Sequence, residues 1–335
     1  MSDSREDLCR RFLAEAGWDN AERRLLAADA SFRSYDRLSR SGETAVLMNA
    51  PPPQENVQVF RHIADLLLDI ELSAPRPLAV DQEAGFLLLE DFGDRTFTRA
   101  LAEGADEGDL YRLAVDTLIA LHRRWYNSDM TGLPPYDEQR LLDEAALLVD
   151  WYLPAVTGRE TPAALRESYL EAWRAAVPVM LGVPQSLVLR DYHVDNLMIL
   201  EGREGVARCG LLDFQDAVIG PVSYDLVSLL EDARRDVAPE LASEMLARYR
   251  DAFRHIDHWA FAASYAALGA QRNAKIIGIF TRLCRRDGKA HYLKHIPRVW
   301  RLLEGDLQHP ALAGLAAWFA REVPPELRVT PQENQ

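Results

Sequence analysis

Two short stretches concentrate oxygen-bearing side chains at spacings that suit metal-assisted group transfer. In Arg190-Asp191-Tyr192-His193-Val194-Asp195-Asn196 an aspartate precedes an asparagine by five positions, on a loop that enters a short apolar run. In Leu211-Leu212-Asp213-Phe214-Gln215 a second aspartate ends an apolar run, 22 residues after Asp191. Transfer of a phosphoryl group to a hydroxyl needs a carboxylate that takes up the hydroxyl proton. It also needs hard oxygen ligands that hold Mg²⁺ against the phosphates. Asp191 suits the first task and Asn196 and Asp213 the second, because Mg²⁺ keeps several waters and asks for few protein ligands. Asp and Asn also cap turns and helices routinely. The chemical reading rests on all three occurring together.

These loops need a frame. Residues 5–17 predict an amphipathic helix. Strand-like runs follow at 32–38 and 44–48, joined by a turn at 39–43. Three prolines, Pro51 to Pro53, break the chain. Residues 57–70 then place Val59, Phe60, Ile63, Leu66, Leu67 and Ile70 at helical spacing. Two more strand candidates lie at 76–80 and 86–89. Beyond Thr96 helical patterns dominate, at 109–125, 137–152, 163–180, 239–253, 258–284 and 310–321. A β-rich insert at 186–214 carries both loops. The expected fold class is α+β and bilobal, with a small β-rich N-terminal lobe over 1–93 and a larger, mostly helical C-terminal lobe over 94–335. That arrangement fits a cleft enzyme.

The 335 residues are 48% hydrophobic and carry a net charge of −14. So acidic a surface repels phosphate backbones and anionic lipid, which argues against nucleic acid or membrane as partner. Cys9, Cys209 and Cys284 are odd in number and widely spaced, as expected of buried reduced thiols rather than a zinc site or disulfide frame. The N-terminus lacks the apolar core of a secretion signal, and no uncharged stretch is long enough to span a bilayer. A cytoplasmic protein is expected, with a monomer favoured.

The two loops resemble the H-R-D-x-x-x-x-N catalytic loop and the D-F-G metal loop of protein kinases. Leu189 stands where the leading His would be. Asp213-Phe214-Gln215-Asp216 continues into Ala217-Val218-Ile219-Gly220-Pro221-Val222-Ser223-Tyr224-Asp225-Leu226, which resembles the aminoglycoside phosphotransferase and choline kinase relatives. Residues 118–123, LIALHR, look like that family's first large-lobe helix. The resemblance spans residues 25–300 and implies a protein-kinase-like fold using ATP and Mg²⁺. Asp225 reads as a cap or an anchor for the loop rather than a ligand.

The nucleotide end departs from the kinase pattern. Glu90-Asp91-Phe92-Gly93 contains a literal D-F-G, but it precedes the catalytic loop and ends an apolar strand where kinases have their hinge. The Glu90 carbonyl and the Phe92 amide are expected at the adenine edge, against the plain alternative of an interlobe linker. No glycine-rich loop is present. Ser31, Phe32, Arg33 and Ser34 occupy its place, and Arg33 reads equally as a phosphate contact or a solvated strand-edge charge. Met48 fills the slot of the strand-three lysine.

For the acceptor, Gln271, Arg272, Asn273 and Lys275 sit in an otherwise apolar helix. A buried cation needs a partner. The cluster therefore either pairs with carboxylates such as Glu231 or Asp232, or contacts substrate. His193 and Asp195 flank the base and either orient the acceptor or, for His193, pack the loop. The run 271–283, with Leu47-Met48-Asn49-Ala50-Pro51-Pro52 and Leu88 to Thr96, looks like the bacterial anomeric kinases of cell-wall recycling. That narrower resemblance implies phosphorylation of N-acetylmuramate or N-acetylglucosamine at the C1 hydroxyl. The cationic cluster on this helix would suit the lactyl carboxylate of N-acetylmuramate through charge-assisted hydrogen bonds. Two further readings are a kinase of aminoglycosides or amino alcohols and a nucleotide-binding pseudokinase.

Overall fold

The computed structural model describes residues 4–28, 32–125 and 132–333. In chain order, α1 (Arg5–Glu15) leads to β1 (Glu22–Ala28), β2 (Ser34–Arg40) and β3 (Glu43–Asn49). Next come α2 (Val57–Asp69), β4 (Pro77–Asp81), β5 (Phe86–Glu90), α3 (Phe97–Ala102) and α4 (Glu107–Trp125). They are followed by α5 (Glu138–Leu147), α6 (Leu153–Thr157), α7 (Ala163–Met180) and the short strands β6 (Gln185–Val188), β7 (Leu197–Ile199), β8 (Cys209–Leu211) and β9 (Val218–Pro221). The remaining helices are α8 (Tyr224–Leu230), α9 (Pro239–Ala252), α10 (His258–Asp287), α11 (Ile296–Asp306) and α12 (Ala313–Glu322). The residues form two compact units. One takes residues up to 117 together with 194–216; the other takes 118–193 and 217 onward.

The first unit is built on an antiparallel sheet in the order β1-β2-β3-β5-β4. The sequence reading lacked β1. Glu22-Arg23-Arg24-Leu25-Leu26 shows no polar–apolar alternation, because the strand lies at the sheet edge and leaves Leu25 63% exposed. Likewise β2 starts at Ser34, not 32, and runs on to Arg40. Leu38, Ala45, Leu47, Phe86 and Leu88 form one apolar face and pack with Cys9, Phe12 and Leu13 of α1. Phe12 and Phe86 stack with ring centroids 5.7 Å apart. Side chains alternate across a strand, so Met48 belongs to the opposite face, paired between Tyr35 and Leu87 and buried.

The second unit is organised around α10, a helix of 30 residues. Asp257 caps its start by accepting from the Ala260 amide (2.8 Å). Gly288, at φ 68°, ends it in the left-handed conformation that glycine adopts without strain. Ala267, Ala270, Ala274 and Ile277 of α10 join a core with Leu141 and Ala145 of α5, Trp173 and Val177 of α7, and Val299, Trp300 and Leu303 of α11. The sequence reading missed α11 because Pro297 reads as a breaker. Pro297 sits in the first turn, where its missing N–H has no intrahelical partner. The helix predicted at 137–152 is α5 followed by one π-helical turn, Leu148–Tyr152. β6 and β9 form an antiparallel pair in this unit. Cys9, Cys209 and Cys284 are buried free thiols. Among the described residues no helix is long and apolar enough to cross a membrane.

Where α10 meets α5, a Cβ on Gly278 would lie 2.3 Å from the carbonyl carbon of Leu147. Backbone cannot yield as a flexible side chain can. Gly278→Ala should therefore destabilise the protein by about 1–3 kcal/mol, the usual scale of overpacking. A thermal melt or urea titration checks this, and a wild-type midpoint would refute the close approach.

Candidate active site

The proposed metal ligands lie in the first unit, and a short hairpin brings them together. β7 pairs antiparallel with β8 in the register Leu197↔Leu211 and Ile199↔Cys209. Asn196 immediately precedes β7 and Asp213 closely follows β8, so the ladder itself makes them neighbours. The Leu212 amide donates to the Asn196 carbonyl (3.0 Å), and Asn196 Nδ2 lies 3.4 Å from Asp213 Oδ2. The other Asp213 oxygen accepts from Gln215 Nε2 (2.7 Å). Asp213 itself adopts φ 57°, an uncommon left-handed conformation for a non-glycine residue. Phe214 is buried and packs on Phe60 of α2 with centroids 4.8 Å apart. The hairpin is moored by Ser73, whose carbonyl accepts from the Leu211 amide and whose hydroxyl donates to the Ala207 carbonyl, both at 2.7 Å. One amide and one carboxylate supply the hard oxygens that Mg²⁺ prefers. A half-turn of the Asn196 amide presents its oxygen beside the Asp213 carboxylate.

Of the residues expected at the phosphates, Ser31 lies outside the described residues. Phe32 is 70% exposed, and its amide donates to Glu55 (3.3 Å). Arg33 is buried between Glu55 (3.7 Å) and Asp213 (4.0 Å). Ser34 opens β2 opposite Asn49. At the expected hinge, the Glu90 amide donates to the Arg76 carbonyl (2.9 Å), and the Glu90 carboxylate accepts from Arg203. The Phe92 ring lies against Gly210, where an added Cβ would come within 2.8 Å of it. A cavity of about 600 Å³ opens here, lined by Glu90, Phe92, Arg95, Arg99, Leu200 and Arg203 among others. Sequence reasoning missed Arg37. From β2 it pairs with Asp91 and Asp94 (both 2.8 Å) and donates to the Gly93 carbonyl (3.0 Å), clamping the Asp91–Asp94 turn.

The proposed base lies in the second unit, three residues past β6. Asp225, 1% exposed in α8, accepts from the amides of Leu189 (2.7 Å) and Arg190 (2.9 Å). Burial pushes its carboxyl up to about 7 against the pull of those two amides, and the nearby charge of Asp191 adds to the rise. Ser228, one turn further along α8, donates to the Arg190 carbonyl (3.1 Å). Arg190 stands at φ 71°, a conformation that costs about 1–2 kcal/mol for a side-chain-bearing residue. Both of its backbone polar groups are thus engaged by α8.

The Arg190 side chain is held as well. Its guanidinium pairs with Glu144 of α5, which also accepts from Lys275 Nζ (3.2 Å), the Tyr136 hydroxyl and Gln271 Nε2 (3.4 Å). Burial alone would raise the Glu144 carboxyl. Lys275 and Arg190 outweigh it and hold the group at about 2. Sequence reasoning missed this carboxylate, although a signal existed: Glu144 lies at helical spacing within the apolar stripe Leu141, Ala145 and Leu148.

The α10 residues expected at the acceptor are bound to the protein itself. Gln271 Nε2 donates to the Leu141 carbonyl (3.0 Å), and Lys275 Nζ to the Tyr224 hydroxyl (3.1 Å). Asn273 Nδ2 donates to Glu231 (2.9 Å) and Asp306 (3.0 Å), and Arg272 to the Glu231 carbonyl (3.3 Å). Burial raises the carboxyls of both Glu231 and Asp306. His193 is buried, and burial lowers its imidazole. Asp195, in the first unit, accepts from the Thr98 hydroxyl.

The family model described as the phosphotransferase enzyme family matches residues 22–265, a span that includes both loops and Asp225. The chain belongs to this family. An N-acetylmuramate/N-acetylglucosamine kinase from Caulobacter vibrioides is 37% identical, over 98% of this chain and 99% of its own length. A relative of the same name from Pseudomonas aeruginosa is 39% identical, over 92% and 91%. The choline kinase LicA from Streptococcus pneumoniae has a TM-score of 0.63 at 13% identity, covering 90% of this chain and 99% of that one. At that identity the likeness shows the fold, which is protein-kinase-like as expected. The phosphotransferase family explains why an antiparallel sheet and a helical unit accompany these two loops.

Two measurements probe the loop's supports in this phosphotransferase. Asp225 keeps its proton in the folded state up to about pH 7, whereas the unfolded chain releases it near 4. Stability should fall as pH rises across that window, to which the raised Glu231 and Asp306 contribute with the same sign. Asp225→Asn should make the decline shallower, and melting curves from pH 5 to 8 with equal slopes for both proteins would contradict this. Glu144→Gln leaves Arg190 and Lys275 without their shared anion. Turnover should drop at least about tenfold, the scale of one lost buried charge partner, while substrate KM moves less. Unchanged kcat would separate Glu144 from the loop.

Proposed function

We propose that this phosphotransferase is a kinase using ATP and Mg²⁺ to phosphorylate the anomeric hydroxyl of N-acetylmuramate, N-acetylglucosamine or both, as a cytoplasmic monomer in peptidoglycan recycling. The observation that carries this reading is the likeness, along almost the entire chain, to relatives named for both sugars. The adjacency of Asn196 and Asp213 supports the chemistry. Asp191 orients the sugar hydroxyl and takes its proton. Asn196 and Asp213 would hold the Mg²⁺, which offsets charge on the phosphates during transfer. Arg33 supplies the cation that Met48 lacks, and Ser31, Phe32 and Ser34 line the phosphate side. Glu90 and Phe92 meet the adenine. On the acceptor side, His193 and Asp195 orient the sugar directly. Glu231, Gln271, Arg272, Asn273 and Lys275 act from behind it through the bonds described above.

General-base assistance is worth about 10²–10⁴-fold. Asp191→Ala should therefore retain ATP affinity and lose at least about a hundredfold in turnover. Phosphorus NMR of the wild-type reaction should give a proton-coupled doublet from a C1 phosphate with either amino sugar. A product formed only with kanamycin or choline, or full turnover by the variant, would overturn the assignment.

A further inference from the structure

The loop between α8 and α9 brings a second guanidinium to the catalytic loop. Asp232, 1% exposed, fixes the turn by accepting from the Arg234 amide (2.8 Å). Arg234 Nη1 then lies 3.5 Å from Nε2 of His193, two residues past Asp191. Two arginines act on the His193 imidazole, Arg234 and Arg272, with Asp232 and Asp191 opposing them. They differ in access. Arg272 is 4% exposed and donates to the Glu231 carbonyl inside the helical packing, whereas Arg234 is exposed.

Further cations gather at the same place. After burial, Lys294, Arg298 and Arg234 hold His295 below its ordinary value, with Asp232 acting against them. The acidic residue that follows in this loop, Asp236, is engaged by Arg298 (2.9 Å) and Arg301 (3.2 Å). On a chain of net charge −14, this gathering of Arg234, Lys294 and Arg298 beside the catalytic loop is out of character with the surface as a whole. Such a local field concentrates an anion where the rest of the molecule repels one.

We propose that Arg234 recognises a carboxylate on the sugar acceptor and so sets the preference for N-acetylmuramate over N-acetylglucosamine. The two sugars differ by the lactyl ether, whose carboxylate only the first carries. An arginine suits this task because its planar fork meets a carboxylate with two parallel hydrogen bonds. The acceptor's uncharged groups are left to His193 and its neighbours. The proposal rests on the amino-sugar kinase reading and names the residue that discriminates within it.

The test measures kcat and KM for both sugars, and KM for ATP, in the wild type, Arg234→Met and Arg234→Lys. The kcat/KM ratio of N-acetylmuramate to N-acetylglucosamine should fall about 10- to 100-fold in Arg234→Met, mainly through KM, as for loss of a charge-assisted hydrogen bond. Arg234→Lys should recover part of it. The methyl ester of N-acetylmuramate gives an independent reading on the wild-type protein, which should use the ester as poorly as Arg234→Met uses the free acid. An unchanged ratio, or a wild type that uses ester and acid equally well, overturns the proposal. So does an equal loss on both sugars with a raised KM for ATP, which would assign the cation to the nucleotide phosphates. A wild type that phosphorylates neither sugar removes the parent reading, and this one with it.

Discussion

A carboxylate taken out of water must be neutralised or matched, and Glu144 is matched. Burial opposes its charge, and Lys275 and Arg190, helped by the Tyr136 hydroxyl, hold the carboxyl at about 2. Because Arg190 is the residue before Asp191, charge balance in the helical unit becomes a positional constraint on the proposed catalytic loop. The same residue stands at φ 71°, a conformation that persists only where its surroundings over-determine it. Here they do: Asp225 holds the amide, Ser228 the carbonyl and Glu144 the guanidinium. Three tethers from two helices leave the loop little freedom. Such fixity suits the role proposed for Asp191, which is to meet a hydroxyl within hydrogen-bond reach.

The first unit reaches a comparable result by different means. Asn196 and Asp213 are held by a two-stranded ladder, whose register makes residues 17 apart in sequence into neighbours. The hairpin is held from outside by Ser73 and by ring packing of Phe60 on Phe214. Gly210 belongs to the same device. Without a side chain it lets Phe92 lie directly on the strand, and Arg203 then caps that ring at 5.3 Å. The turn following β5 and the β7–β8 hairpin are thereby packed as one piece.

How much of this could be read from the sequence depended on whether a residue's role is written in its neighbours. Asp191, Asn196 and Asp213 stand at a spacing that suits the proposed chemistry, and the long amphipathic helices carry their own period. The five-stranded unit was legible except for β1, whose edge position removes the alternation by which strands are recognised. Arg37 and Glu144 were not legible as functional supports, since their partners lie far along the chain. Arg37 bonds residues more than fifty positions away, and Glu144 bonds a lysine more than a hundred away. The polar run on α10 was visible as an anomaly, but nothing local distinguishes a lysine facing substrate from one facing Glu144.

The division of the chain has a consequence for its synthesis. The sheet unit is not contiguous: it needs residues 194–216 as well as those up to 117. Until the hairpin emerges from the ribosome, Phe60 lacks Phe214, and the Ser73 carbonyl lacks the amide it accepts from. At about 5–20 residues per second the interval is roughly 5–20 s. The nascent N-terminal segment therefore waits with that apolar surface uncovered while the intervening residues are made.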